Sequence, residues 1–246
     1  MISMRKESSS LIATDKTHRT RYLKSVKPPD TNMLKSASYN KKLGKTVSIK
    51  KWKDMPMFAL TLEERNTCTT ACNQYKICYG NNMPFAKRHD HTDPDFLDNL
   101  DASINNVATQ RGSKNGFVVR LHVLGDFYSK AYVNAWQSAL NKYPGLHAFG
   151  YTHHRHDSPI GKLLKRINEV APDRWQIRFS DDMDDQFRAR VISGTYDRSL
   201  KHFTDYDHTE VLANELVCPE QLGKTMGCTT CGYCWSSSNP VVFLAH

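Results

Sequence analysis

The residues of this chain best suited to chemistry are its seven cysteines, at positions 68, 72, 78, 218, 228, 231 and 234. Their number is odd and they fall into two tight groups, whereas a disulfide framework favours an even count in a small secreted chain. Convergent thiolates are what a metal centre requires. Cys218, Cys228, Cys231 and Cys234 can close a tetrahedral site, and the C-x2-C-x2-C run within them suits a structural zinc or an iron–sulfur cluster equally well. Cys68, Cys72 and Cys78 supply three thiolates, one short of closure, and so leave an open metal position of the kind reactive centres use. The structural alternative completes that site as zinc with His89 or His91.

Strand and helix patterns alternate around these groups. Met57 to Leu62 reads as a short apolar strand feeding the first cysteine loop. Asp93-Pro94 signals a helix start, with Phe96, Leu97, Leu100, Ile104 and Val107 at helical spacing to about Gln110. A second strand, Phe117 to Leu124, ends in Gly125-Asp126-Phe127. Ser129 caps a helix that presents Tyr132, Ala135, Trp136, Ala139 and Leu140 and stops near Pro144-Gly145. Leu146 to Tyr151 is a third strand, and Ser158-Pro159 opens a helix with Ile160, Leu163, Leu164, Ile167 and Val170 inward. Trp175 to Phe179 is a fourth strand. The pattern weakens after Met183, with further strands at Val211 to Val217 and Val241 to Leu244. Short links between alternating strands and helices imply right-handed crossovers and a parallel sheet. The chain is short for a complete eight-unit barrel. The predicted fold is therefore α/β, a partial parallel (β/α) barrel of five to six strands over residues 38–217. Residues 218–246 form a four-cysteine metal-binding extension with a closing strand.

In such sheets ligands bind at the carboxyl ends of the strands. The first cysteine loop, Gly125-Asp126, His153 to His156 and Ser180 to Asp182 all fall there. Arg120 and His122 alternate on the second strand and are expected to share its interior face. His153-His154-Arg155-His156 suits an anionic substrate or acid–base work; the plainer reading is a polar loop before a helix. Asp181, Asp182, Asp184 and Asp185 suit a divalent cation, but a solvated helix start is the favoured reading.

Residues 1–53 hold 14 Lys and Arg against 3 acids, and the remainder 20 against 22. This excess describes a basic, mobile arm over residues 1–37, with DNA or RNA as the natural anionic partner and a solvated leader as the alternative. No apolar run is long enough to span a bilayer, and no signal-peptide core follows the first residues, so a cytoplasmic protein without membrane contact is expected.

The cysteine triad after the first strand, with an aromatic, Tyr79, beside its last member, resembles the radical S-adenosylmethionine superfamily. Its spacing is C-x3-C-x5-C where that superfamily usually has C-x3-C-x2-C. Gly125-Asp126-Phe127 occupies the place of the motif that holds the methionine amino group. A nearer resemblance, over roughly residues 38–246, is to a phage family called gene product 88. It rests on Asn40 to Lys45, Cys78-Tyr79, Arg120 to Ser129 with Tyr132 and Trp136, and Phe149 to Thr152. Phe179-Ser180, Cys218 to Gln221, the cysteine run with Trp235, and Val242 to His246 complete it. These resemblances imply a phage protein working in the host cytoplasm and a four-iron four-sulfur cluster on Cys68, Cys72 and Cys78. They imply S-adenosylmethionine near Tyr79, Gly125, Asp126 and Phe127, and an electron donor. Arg120, His122, His153, His154 and Ser180 would form the substrate rim. The second site would hold another iron–sulfur cluster or zinc. The competing expectation is a nucleic-acid-binding protein in which both cysteine groups are structural.

Overall fold

Phe117–Leu121 alternates its side chains between two apolar environments, and that alternation organises the fold. In the computed structural model, Phe117, Val119 and Leu121 pack into one core and Val118 into another. The structure describes residues 24–245 except 70–71, 73–77, 79, 81–82 and 84–85. In chain order the strands are β1 (Val26–Lys27), β2 (Lys35–Ser36), β3 (Met57–Ala59), β4 (Arg88–His89), β5 (Phe117–Leu121), β6 (Leu146–Thr152) and β7 (Trp175–Ser180). They continue with β8 (Arg188–Asp197), β9 (His202–Tyr206), β10 (Leu216–Val217) and β11 (Val241–Ala245). The helices are α1 (Glu64–Thr67), α2 (Phe96–Ala108), α3 (Lys130–Lys142), α4 (Pro159–Val170), α5 (Cys228–Cys231) and α6 (Tyr233–Ser236).

Nine strands form one open sheet, in the order β10-β11-β8-β7-β6-β5-β3-β2, with β9 paired to β8. All neighbours from β10 to β3 are parallel, while β2 and β9 pair antiparallel. The α/β class and the parallel sheet are as predicted. The sheet does not close into a barrel, and it carries more strands than five or six. β8 and β9 go unpredicted because the stretch after Met183 is mostly polar, with too few apolar residues to set a period. The final strand does not close an edge: β11 inserts between β8 and β10, so the C-terminal extension contributes an interior strand of the sheet.

α2, α3 and α4 cover one face. Phe96, Leu100, Tyr132, Trp136, Leu164 and Ile167 pack there on Phe117, Val119, Trp175, Ile177 and Phe179. The Ser129 and Ser158 hydroxyls accept from Tyr132 N and Gly161 N, capping α3 and α4 as predicted. α2 begins one residue after Asp95, so Pro94 precedes it instead of occupying its first position. Val170, expected inward, is exposed. On the opposite, inner face, Met57, Val118 and Phe149 meet Leu43, Val47, Trp52 and Trp235. Residues 24–37, placed in the mobile arm, are part of the fold. β1 pairs with β4, β2 with β3, Met33 and Leu34 are buried, and Leu34 N donates to Ser103 Oγ. Their apolar residues are too few and irregular to show a period, so only packing reveals them.

Candidate functional site

The carboxyl ends of β3, β5, β6 and β7 lie side by side, and hydrogen bonds stitch their loops in sequence. Asp126 N donates to Thr67 Oγ1 at 3.3 Å, joining the cysteine loop to the β5 loop. His153 N donates to Asp126 Oδ2 at 2.9 Å, and His154 Nε2 bonds Phe127 O at 2.6 Å, joining β5 to β6. His156 donates to Asp182 Oδ2 from both N and Nδ1 at 2.8 Å, joining β6 to β7. The four loops therefore share one rim. Gly125 has φ +95, and a Cβ there would stand 2.7 Å from Leu62 Cβ and 2.8 Å from Thr67 Oγ1. Glycine is required at this position for the cysteine loop to seat against the rim.

Cys68 follows α1, and a cavity of about 250 Å³ opens beside it, lined by Thr67, Cys68, Phe127, Tyr128 and His154 among others. Burial pushes the Cys68 thiol well up, with Asp126, Cys78, Glu64 and Cys72 adding to it, so the three cysteines and Asp126 share one electrostatic neighbourhood. Burial also raises Cys78; Gly80 N, which donates to its Sγ at 3.4 Å, and the guanidinium groups of Arg65 and Arg88 oppose that rise. Arg88 is fully buried. It bonds both Glu64 oxygens, at 2.7 and 3.0 Å, and donates to the carbonyls of Gly80, Met83 and Ala86. It thus pins the exit of the cysteine loop. Tyr79 lies outside the described residues.

Several predicted rim residues are placed differently. β5 ends at Leu121, so the alternation that was to align His122 with Arg120 stops between them. Arg120 lies on the inner face over Phe149 and Tyr151. His122 turns into the helix-side core, bonds Tyr132 Oη at 2.8 Å, and is held down to about 3 by burial. Phe127 packs its ring against His122, Tyr132 and Trp175, so only its backbone reaches the rim. Burial lowers His153, against the pull of Asp126 and Asp181. Ser180 ends β7, half-buried. The four aspartates do not start a helix. Asp184 approaches Arg155, and Asp185 is bound by Phe187 N and Lys165 Nζ. His89 sits among Lys87, Asp30, Met33 and Lys35, and burial lowers it to about 4. His91 stacks edge-on to Tyr128 at 4.5 Å.

The second group lies against the inner face. All four of its cysteines line one hollow of about 20 Å³, room for a single water-sized body. Among the described residues no three His, Cys, Asp or Glu side chains stand in a ligating arrangement as they are, so closing on an ion would take side-chain rotation. None of the seven cysteines forms a disulfide. Burial pushes Cys228 up to about 12, with Cys234 adding to it. Burial raises Cys218 and Cys231 too, against backbone N–H donors at Gln221 and Glu220, and at Tyr233, that favour their thiolates. Tyr151 Oη donates to Cys234 Sγ at 3.0 Å. Arg178, buried on β7, donates to the carbonyls of Tyr233, Cys234, Ser237 and Asn239. Neither Arg178 nor Arg88 was singled out from sequence. For Arg178 the available signal was an arginine inside a mainly apolar strand, Trp-Gln-Ile-Arg-Phe; Arg88, in the charged run Lys-Arg-His-Asp, carries none.

A sequence profile of gene product 88 matches residues 32–237. The chain belongs to the gene product 88 family. The match spans both cysteine groups and every loop of the rim. No curated protein and no solved structure matches the chain. Among the described residues of this family member, no helix is long and apolar enough to cross a membrane.

Proposed function

We propose that this protein is a radical S-adenosylmethionine-like enzyme, with a four-iron cluster on Cys68, Cys72 and Cys78 and zinc or a second iron–sulfur cluster on the other four cysteines. The observation that carries this reading is the setting of Cys68: two further thiols and Asp126 around it, and a cavity beside it on a rim where four strand ends meet. Three soft donors fit a cluster that keeps one position exchangeable. Such a cluster, when bound, supplies an electron drawn from an external donor for reductive cleavage of S-adenosylmethionine. The protein's own groups position and neutralise. Arg65 and Arg88 favour the thiolate at Cys78. Asp126 holds the β5 and β6 loops together through Phe127 N and His153 N, and each of its oxygens keeps a lone pair for an ammonium group. His154, on the cavity wall, is held by the bond of its Nε2 to Phe127 O.

Protein purified without oxygen should be brown, and reduced protein given S-adenosylmethionine should form 5′-deoxyadenosine. Cluster-bearing protein that neither binds nor cleaves the compound would overturn the reading. Nucleic-acid binding would then stand first. It is favoured by the exposed Lys24, Lys27, Lys35, Lys41, Lys45 and Lys53, which extend the basic character beyond the N-terminal 23 residues.

A further inference from the structure

A cavity of about 420 Å³ on the inner face has no part in the proposed cluster chemistry. Its volume is in the range of small-molecule sites. Its wall joins both halves of the molecule: Met83 follows the first cysteine group, Cys228 opens α5 in the second, and Phe149, Tyr151 and Phe243 supply aromatic surface. Two cations complete it, Arg120 and Lys42.

The two cations are not equivalent. Lys42 Nζ lies 3.2 Å from Glu220, so its charge is largely answered. Arg120 has no carboxylate partner among the described residues. It spends one donor on the Leu121 carbonyl, and its guanidinium lies 4.5 Å from the Tyr151 ring centre and 5.6 Å from that of Phe149. A half-buried guanidinium held over two rings keeps its remaining N–H groups for an oxyanion.

We propose that this cavity binds a small molecule with a flat apolar body and an anionic head, a phosphate or carboxylate, with Arg120 as the anchor for the head and Phe149, Tyr151 and Phe243 as the bed for the body. The binding stands by itself; that the bound molecule is the substrate rests on the enzymatic reading above.

Calorimetry on the full chain with 2-naphthyl phosphate, 2-naphthoate, 2-naphthol and inorganic phosphate tests it. Both naphthyl anions should bind more tightly than naphthol or phosphate, and preference between them identifies the head group. Arg120→Gln should weaken the anions about tenfold or more while leaving naphthol unchanged, and Arg120→Lys should recover part of the loss. Arg198→Gln, at an exposed arginine in the β8–β9 turn, should change nothing, and an unchanged melting temperature in the Arg120 variants separates lost recognition from lost fold. No preference for the anions, or an Arg120→Gln variant that binds them as the parent does, would overturn the proposal. Anion binding by a protein that forms no 5′-deoxyadenosine would retain the cavity and sink the enzymatic reading. Cleavage without anion binding would do the reverse.

Discussion

Each cysteine group is organised by one fully buried arginine that reaches backbone carbonyls, but the two arginines are compensated differently. Arg88, at the first group, is paired with both oxygens of Glu64. Arg178, at the second, donates to carbonyls and lies over the Tyr233 ring at 5.7 Å, with no carboxylate partner among the described residues. The first group thus sits at an open rim beside two carboxylates, Glu64 and Asp126. The second is packed under a residual positive charge, and its chain is further tied by Cys228 N to Lys42 O at 2.7 Å and Thr229 N to Leu43 O at 3.1 Å. A closed set of four thiolates on a divalent ion carries net negative charge, which a nearby guanidinium offsets. On the proposed reading, the contrast gives reactivity to the first group and stability to the second.

The widest separation of the two comes from removing one thiol from each. Cys72→Ala should abolish 5′-deoxyadenosine formation and lower iron content with little change in melting temperature. Cys231→Ser should release metal from the other site and lower the melting temperature, because metal binding there contributes folding energy. Equal effects of the two substitutions on stability would erase the distinction.

Next in size is Arg178→Ala. It takes the Arg178 donor from four carbonyls around the α6 end, of which Tyr233 O keeps Ser237 N, and at 1–3 kcal/mol for an unsatisfied buried group the loss should reach about 3 kcal/mol. Thermal unfolding should shift by several degrees, with metal lost from the second site and the first site's iron retained. A shift no larger than that of an exposed Arg→Ala would mean that the clamp carries no stability.

A smaller effect follows from His122, buried behind the rim. Its folded pKa, about 3, lies below the ordinary value of 6.5, so the unfolded chain binds the additional proton. Its contribution is fully present above pH 6.5 and is lost as pH falls toward 3, at up to about 1.4 kcal/mol per pH unit. Denaturation followed across pH 4–7 should show a shallower acid slope in His122→Phe than in the parent. Identical slopes would rule out His122 as an acid-labile point.

The smallest effect concerns the N-terminal segment. Residues 1–23 hold five of the 14 basic residues that precede position 54, whereas nine lie in 24–53. If the protein binds nucleic acid, deleting residues 1–23 should flatten the salt dependence only partly, because the folded lysines retain most of the phosphate contacts. Complete loss of that dependence would return the binding to the arm.

Residue type and short-range spacing by themselves determined the two cysteine groups, the helix caps at Ser129 and Ser158, and the parallel alternation from β3 to β7. Those features depend on local backbone hydrogen bonding and on a side-chain period that continues within each element. The same reasoning failed where an element ended or its pattern was polar. His122 left the face of Arg120 because β5 stops one residue earlier, and β8 has no apolar period to announce it. Only the tertiary structure could decide that residues 24–37 belong to the body, that β11 enters the sheet between β8 and β10, and that Arg88 and Arg178 each hold a cysteine group. The physical reason is that a buried guanidinium must find all its acceptors, and here they lie on segments up to 61 residues away along the chain, a distance that no local pattern encodes.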